Sequence, residues 1–136
     1  MSSVKHYKLN KLVRDKSVQR MENEGALVMW RELEQPQKIP YLLKKLHEEQ
    51  QEVHTAFAME DKETMTNELS DLLDVIQALA SAAGISMDDV QVKSDEKKRT
   101  RGGFDRGIYV DKIICPEGST FDLYCANDPE KYPLAN

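Results

Sequence analysis

Cysteine is nearly absent: Cys115 and Cys125 are the only two among 136 residues. Their spacing matches no metal-ligand pattern, which excludes a fold built on a zinc knot or a dense disulfide framework. They read as free thiols of a cytoplasmic protein, with pairing across a hairpin as the alternative. Long apolar runs are also missing, so no membrane partner is expected, and the opening Met1-Ser2-Ser3-Val4-Lys5 lacks signal-peptide character. Basic residues are outnumbered, 19 Lys and Arg against 24 Asp and Glu, and the net charge of −5 argues against nucleic acid as a partner. No internal repeat or low-complexity tract occurs. What remains, 40% apolar and 32% charged, predicts a single globular domain over residues 1–136.

The chain is rich in acid at helical spacing. Glu48-Glu49-Gln50-Gln51-Glu52 is followed by Glu68-Leu69-Ser70-Asp71, each in a window whose apolar residues recur at helical intervals. On a wheel Leu42, Leu46, Val53 and Phe57 fall within roughly 60° of one another. Glu49 sits at the edge of that stripe, Glu52 one step further round, and Glu48 toward the polar side. In the second window Leu72, Val75, Ile76 and Leu79 form the stripe, with Glu68 inside it and Asp71 just off its edge. The pattern aims Glu49, Glu52, Glu68 and Asp71 at or beside a helix interface, and partner lysines are mostly absent from that side. Burying a carboxylate there costs on the order of several kcal/mol, and mutual repulsion adds to it. A divalent cation relieves both, and oxygen ligands suit hard ions such as Mg²⁺ or Mn²⁺. Either motif alone reads as a solvated acidic face; the two together favour a metal site.

Along the chain, Leu9, Leu12, Val13 and Met21 suit a first helix that Gly25 ends. Ala26 to Leu33 suits a short strand or an extended connection. Pro40 opens a helix to about Met59, Asp61 caps a second that stops at Gly84, and Ser86 opens a third. The segment from Lys93 to Phe104 is basic: Lys97 and Arg101 beside Gly102-Gly103 suit a polyphosphate, or equally a solvated helix end whose cations complement the dipole. Gly107 to Ile114 and Thr120 to Ala126 then predict a small β-hairpin around Pro116-Glu117-Gly118-Ser119. The fold expected is all-α, a helical bundle completed by oligomerisation, because two long helices expose more apolar surface than one protomer covers.

Glu-Glu-x-x-Glu at 48–52 followed by Glu-x-x-Asp at 68–71 resembles the signature of the MazG-like all-α nucleoside triphosphate pyrophosphohydrolases. Lys11-Leu12-Val13-Arg14-Asp15-Lys16 and Arg101-Gly102-Gly103-Phe104 resemble its phosphoribosyl-ATP pyrophosphohydrolase-like subgroup. The likeness spans about residues 8–110 and leaves 111–136 as an extension. Ser17-Val18 departs from the Ile-Pro usual after the first motif. The resemblance implies Mg²⁺ held by Glu49, Glu52, Glu68 and Asp71, with Glu48 ordering the attacking water or supporting the ligands. It implies hydrolysis between the α- and β-phosphates of a nucleotide, giving the monophosphate and pyrophosphate, by a homodimer or homotetramer. Lys11, Arg14, Lys16, Lys97, Arg101, Gly102 and Gly103 are the candidate phosphate contacts. Two alternatives remain: the phosphoribosyl-ATP reaction of histidine biosynthesis, against which the Lys11–Lys16 motif argues, and a helical interaction module without turnover.

Overall fold

The computed structural model describes residues 3–135. Its regular elements are α1 (Ser17–Asn23), α2 (Gln35–Ala58), α3 (Lys62–Ala82), α4 (Met87–Arg101) and α5 (Thr120–Ala126), and no strand occurs among the described residues. Compact packing divides the chain between Glu96 and Lys97, within α4.

In the first unit α2 and α3 pack against each other along their length. The loop between Ala58 and Lys62 is too short for anything but an antiparallel hairpin of helices. Leu42 and Ala56 from α2 and Val75 and Ala80 from α3 make up the buried apolar set. The Asp61 side chain accepts the Glu63 N–H at 3.3 Å and so caps α3, as its position before the apolar run predicts. At the far end Gly84, at φ 72°, lets Ile85 N–H turn back to the Ala80 carbonyl at 2.8 Å. An L-residue with a side chain adopts that left-handed conformation only under strain, so glycine sets where α3 stops.

Three expectations need correction. α2 begins at Gln35, not Pro40: Glu34 N–H donates to Gln37 Oε1 at 3.2 Å to start it, and Pro40 lies inside the helix. A proline so near the start forfeits only one helical hydrogen bond, so it does not mark the first residue. The first helix is also shorter than its apolar spacing suggests, because the chain up to Lys16 is irregular, with a turn at Asp15–Lys16, and only Ser17–Asn23 coils.

The third correction concerns the second unit, where the β-hairpin is replaced by helix α5, and Gly107 to Ile114 forms no strand. Ser119 Oγ accepts the Asp122 N–H at 3.4 Å while Asp122 Oδ2 accepts the Gly118 N–H at 2.6 Å. This reciprocal capping starts a helix at Thr120, and alternation in the following residues does not compete with it. Cys115 and Cys125 are free thiols.

Candidate active site

Glu49 lies two helical turns beyond Leu42 on the buried face of α2, and only 6% of it is exposed. Opposite, α3 contributes Glu68 and Asp71, both half-buried. One carboxylate oxygen from each of Glu49, Glu68 and Asp71 lies within 4.8 Å of the other two. Helical periodicity put these acids on facing stripes, and the α2–α3 hairpin brings the stripes together.

The electrostatics of this group are unbalanced. Burial pushes the Glu49 carboxyl above its ordinary value of 4.5, and the nearby Glu52 and Asp71 push the same way, while a hydrogen bond with Lys45 opposes them. Lys45 Nζ is 3.3 Å from Glu49 Oε1. The other oxygen, Glu49 Oε2, is buried without a hydrogen-bond partner, as is Glu68 Oε2. Buried carboxylate oxygens are almost always satisfied, so two orphans within one acidic group call for a missing partner. An all-oxygen donor set fits a hard divalent cation and would supply both orphans with the same partner.

The remaining expected acids take other positions. Glu52 is exposed and hydrogen-bonds with Glu68; burial and then that contact raise its carboxyl. It therefore flanks the group through Glu68. Glu48 Oε1 stands between Lys11 Nζ at 3.8 Å and Lys45 Nζ at 3.9 Å. Lys45 overturns the expectation that lysines are mostly absent from this side; its i,i+4 spacing to Glu49 was the available signal.

A cleft of about 420 Å³ opens beside the acids. Glu49 and Asp71 stand at its acidic end, Lys38, Lys45 and Arg14 supply positive charge, and Leu12, Val13, Leu42, Val75 and Ala78 form an apolar wall. The Lys11–Lys16 motif thus reaches the cleft through its middle residues. Arg14 Nη2 is 2.6 Å from Asp71 Oδ1 and its Nη1 is 2.8 Å from Asp74 Oδ2, contacts that hold the guanidinium more firmly charged. Lys16 stands at the N-terminal cap of α1, outside the cleft lining. Lys97 and Arg101 are exposed on the last turns of α4, where Gly102, at φ 83°, donates its N–H to the Lys98 carbonyl at 2.9 Å. These two, with Gly102 and Gly103, belong to the second unit. Lys38, Lys45 and Asp74 are cleft residues that sequence reasoning missed.

Residues 37–103 match the family model of the MazG nucleotide pyrophosphohydrolase domain, a span that includes α3, all but the first two residues of α2, and all three acids of the group. Searches of curated proteins and of solved structures return no match. Residues 37–103, which carry both acidic motifs on the two long helices, form a MazG-like domain.

Proposed function

We propose that the protein is a Mg²⁺-dependent nucleotide pyrophosphohydrolase, cleaving a nucleoside triphosphate between its α- and β-phosphates to release pyrophosphate. The MazG domain suggests nucleotide pyrophosphohydrolase activity, and members of that family generally use divalent metals. One observation carries the metal reading: Glu49, almost fully buried, and Glu68 belong to one cluster of carboxylates and each keeps a buried oxygen without a partner. Glu49, Glu68 and Asp71 would hold Mg²⁺ or Mn²⁺, with Glu52 supporting Glu68. When bound, the ion neutralises phosphate charge and lowers the pKa of a coordinated water.

The chain's own groups do the rest. Lys38, Lys45 and Arg14 offset the charge of a polyphosphate entering the cleft, where partial exclusion of water strengthens each contact. Glu48 holds Lys11 and Lys45 in place as a paired anion. The apolar wall from Leu12, Val13, Leu42, Val75 and Ala78 seats the uncharged part of the nucleotide. Entry of the Lys11–Lys16 motif into the cleft supports the phosphoribosyl-ATP pyrophosphohydrolase-like subgroup. No single helix among the described residues is long and apolar enough to cross a membrane; two free thiols fit a reducing cytoplasm.

Purified protein with Mg²⁺ is expected to release pyrophosphate from at least one nucleotide in a panel of ribo- and deoxyribonucleoside triphosphates that also includes phosphoribosyl-ATP. No release with either Mg²⁺ or Mn²⁺ would refute the activity, and exclusive release from phosphoribosyl-ATP would reassign the substrate.

Assembly into a dimer or tetramer is part of the same proposal. Leu69, Leu73 and Ile76 recur at i, i+4 and i+7 on α3 and stay exposed at 46%, 50% and 39%. A second copy burying this stripe would complete the bundle. Sedimentation is expected to show a multiple of the 15.6 kDa protomer; a monomer at tens of micromolar would count against it.

A further inference from the structure

Phosphate binding explains why an arginine faces the cleft but not why this one is already engaged. Arg14 spans two acids one turn apart on α3, with Nη2 on Asp71 Oδ1 at 2.6 Å and Nη1 on Asp74 Oδ2 at 2.8 Å. The two forks of the guanidinium therefore have separate partners. Asp71 belongs to the three-acid group, and Asp74 does not. The link joins residues 57 apart in sequence and ties the irregular segment ahead of α1 to the middle of α3.

We infer that Arg14 is a built-in counter-cation that competes with the divalent ion for Asp71, and that Asp74 is the positioning residue that retains the guanidinium once Asp71 is given up. The inference rests on the metal reading above. Two cations sharing one carboxylate each weaken the other's hold. The arginine side chain is 60% exposed, so its pair with Asp71 is screened by water and weaker than a multidentate metal site. The ion therefore wins Asp71 when present. Without Asp74 the displaced guanidinium would swing into solvent. With Asp74 holding Nη1, the Nη2 edge stays in the cleft, unpaired and available to phosphate oxygens. Metal loading thus prepares the phosphate site, and the ion should precede the nucleotide.

Calorimetric titration of Mn²⁺ into the full chain without nucleotide tests the competition. Arg14→Ala is expected to tighten Mn²⁺ binding roughly three- to fivefold, the upper part of the range an exposed ion pair supports. Lys11→Ala removes the same charge from the same segment, but Lys11 pairs with Glu48 and not with Asp71, so its effect should stay within about twofold. Unchanged or weaker binding in Arg14→Ala overturns the inference, as does equal tightening in Lys11→Ala, which would reduce the effect to general charge. With saturating Mn²⁺, Asp74→Asn is expected to weaken α,β-methylene-ATP about as much as Arg14→Ala does; unchanged affinity removes Asp74 from the proposal. If none of the variants nor the parent protein binds Mn²⁺, the metal reading itself fails. Binding without an Arg14 effect removes only the competition.

Discussion

Glu49→Gln is expected to leave the protein folded and to lower pyrophosphate release by roughly three orders of magnitude, as loss of a charged group that directly organises the reacting centre does. The amide keeps the size of the side chain and an oxygen for Lys45, but removes the negative charge from the only acid of the group that is fully buried. The same change should stabilise the metal-free protein by about 1 kcal/mol, because an unpartnered buried oxygen is replaced by a group that can donate toward Asp71 or Glu68. Opposite signs for activity and stability distinguish a functional acid from a structural one.

The pH dependence of the melting temperature gives a second readout. The folded-state carboxyl of Glu49 titrates above the ordinary 4.5, chiefly through burial. Its favourable contribution is therefore complete below that value and is lost as pH rises through the raised folded value. Glu52 shifts in the same direction and adds to the slope. The metal-free protein should thus lose stability across this window, Glu49→Gln should lose less, and Mg²⁺ should restore the parent protein most at the alkaline end, where its ligands are deprotonated. Activity within tenfold of the parent in Glu49→Gln would show that Glu49 is not a ligand, and an unchanged pH slope would show that its carboxyl is not raised by folding.

Leu42→Ala is expected to cost about 2–4 kcal/mol, measured by urea unfolding with linear extrapolation. Leu42 is 6% exposed and is the largest member of a buried apolar set whose other members are Ala56, Val75 and Ala80. Removing its branched end leaves a void that helices already in close contact fill only by shifting. Leu42 also walls the cleft, two turns from Glu49 on the same helix. Its loss should therefore raise KM along with lowering stability. A cost below about 1 kcal/mol would mean that the α2–α3 seam repacks freely, and that the placement of the acids does not depend on it.

Some of the site is legible because its determinants are local. Glu49 and Glu68 fall on apolar stripes by periodicity alone, and Asp71 follows Glu68 by one turn, so their convergence needs only that the two helices face each other. Asp61 and Gly84 bound α3 through contacts spanning a few residues. Lys45 was within reach of the same reasoning, one turn before Glu49. Helix α5 was readable in principle from Ser119 and Asp122, but alternation in the neighbouring residues concealed the cap.

Sequence by itself determined that this chain is helical, that its acids occur as two helical motifs, and where the second long helix begins and ends. Those are matters of backbone hydrogen bonding and side-chain period, decided within a turn or two of helix. Tertiary structure alone decided that Arg14 reaches Asp71 and Asp74, that Glu52 stands beside Glu68 instead of joining the three-acid group, and that Leu12 and Val13 wall a cleft. Each depends on how an irregular segment is laid against a helix pair and how those helices cross. Distances of that kind are set by packing between residues far apart in the chain, which no local period encodes.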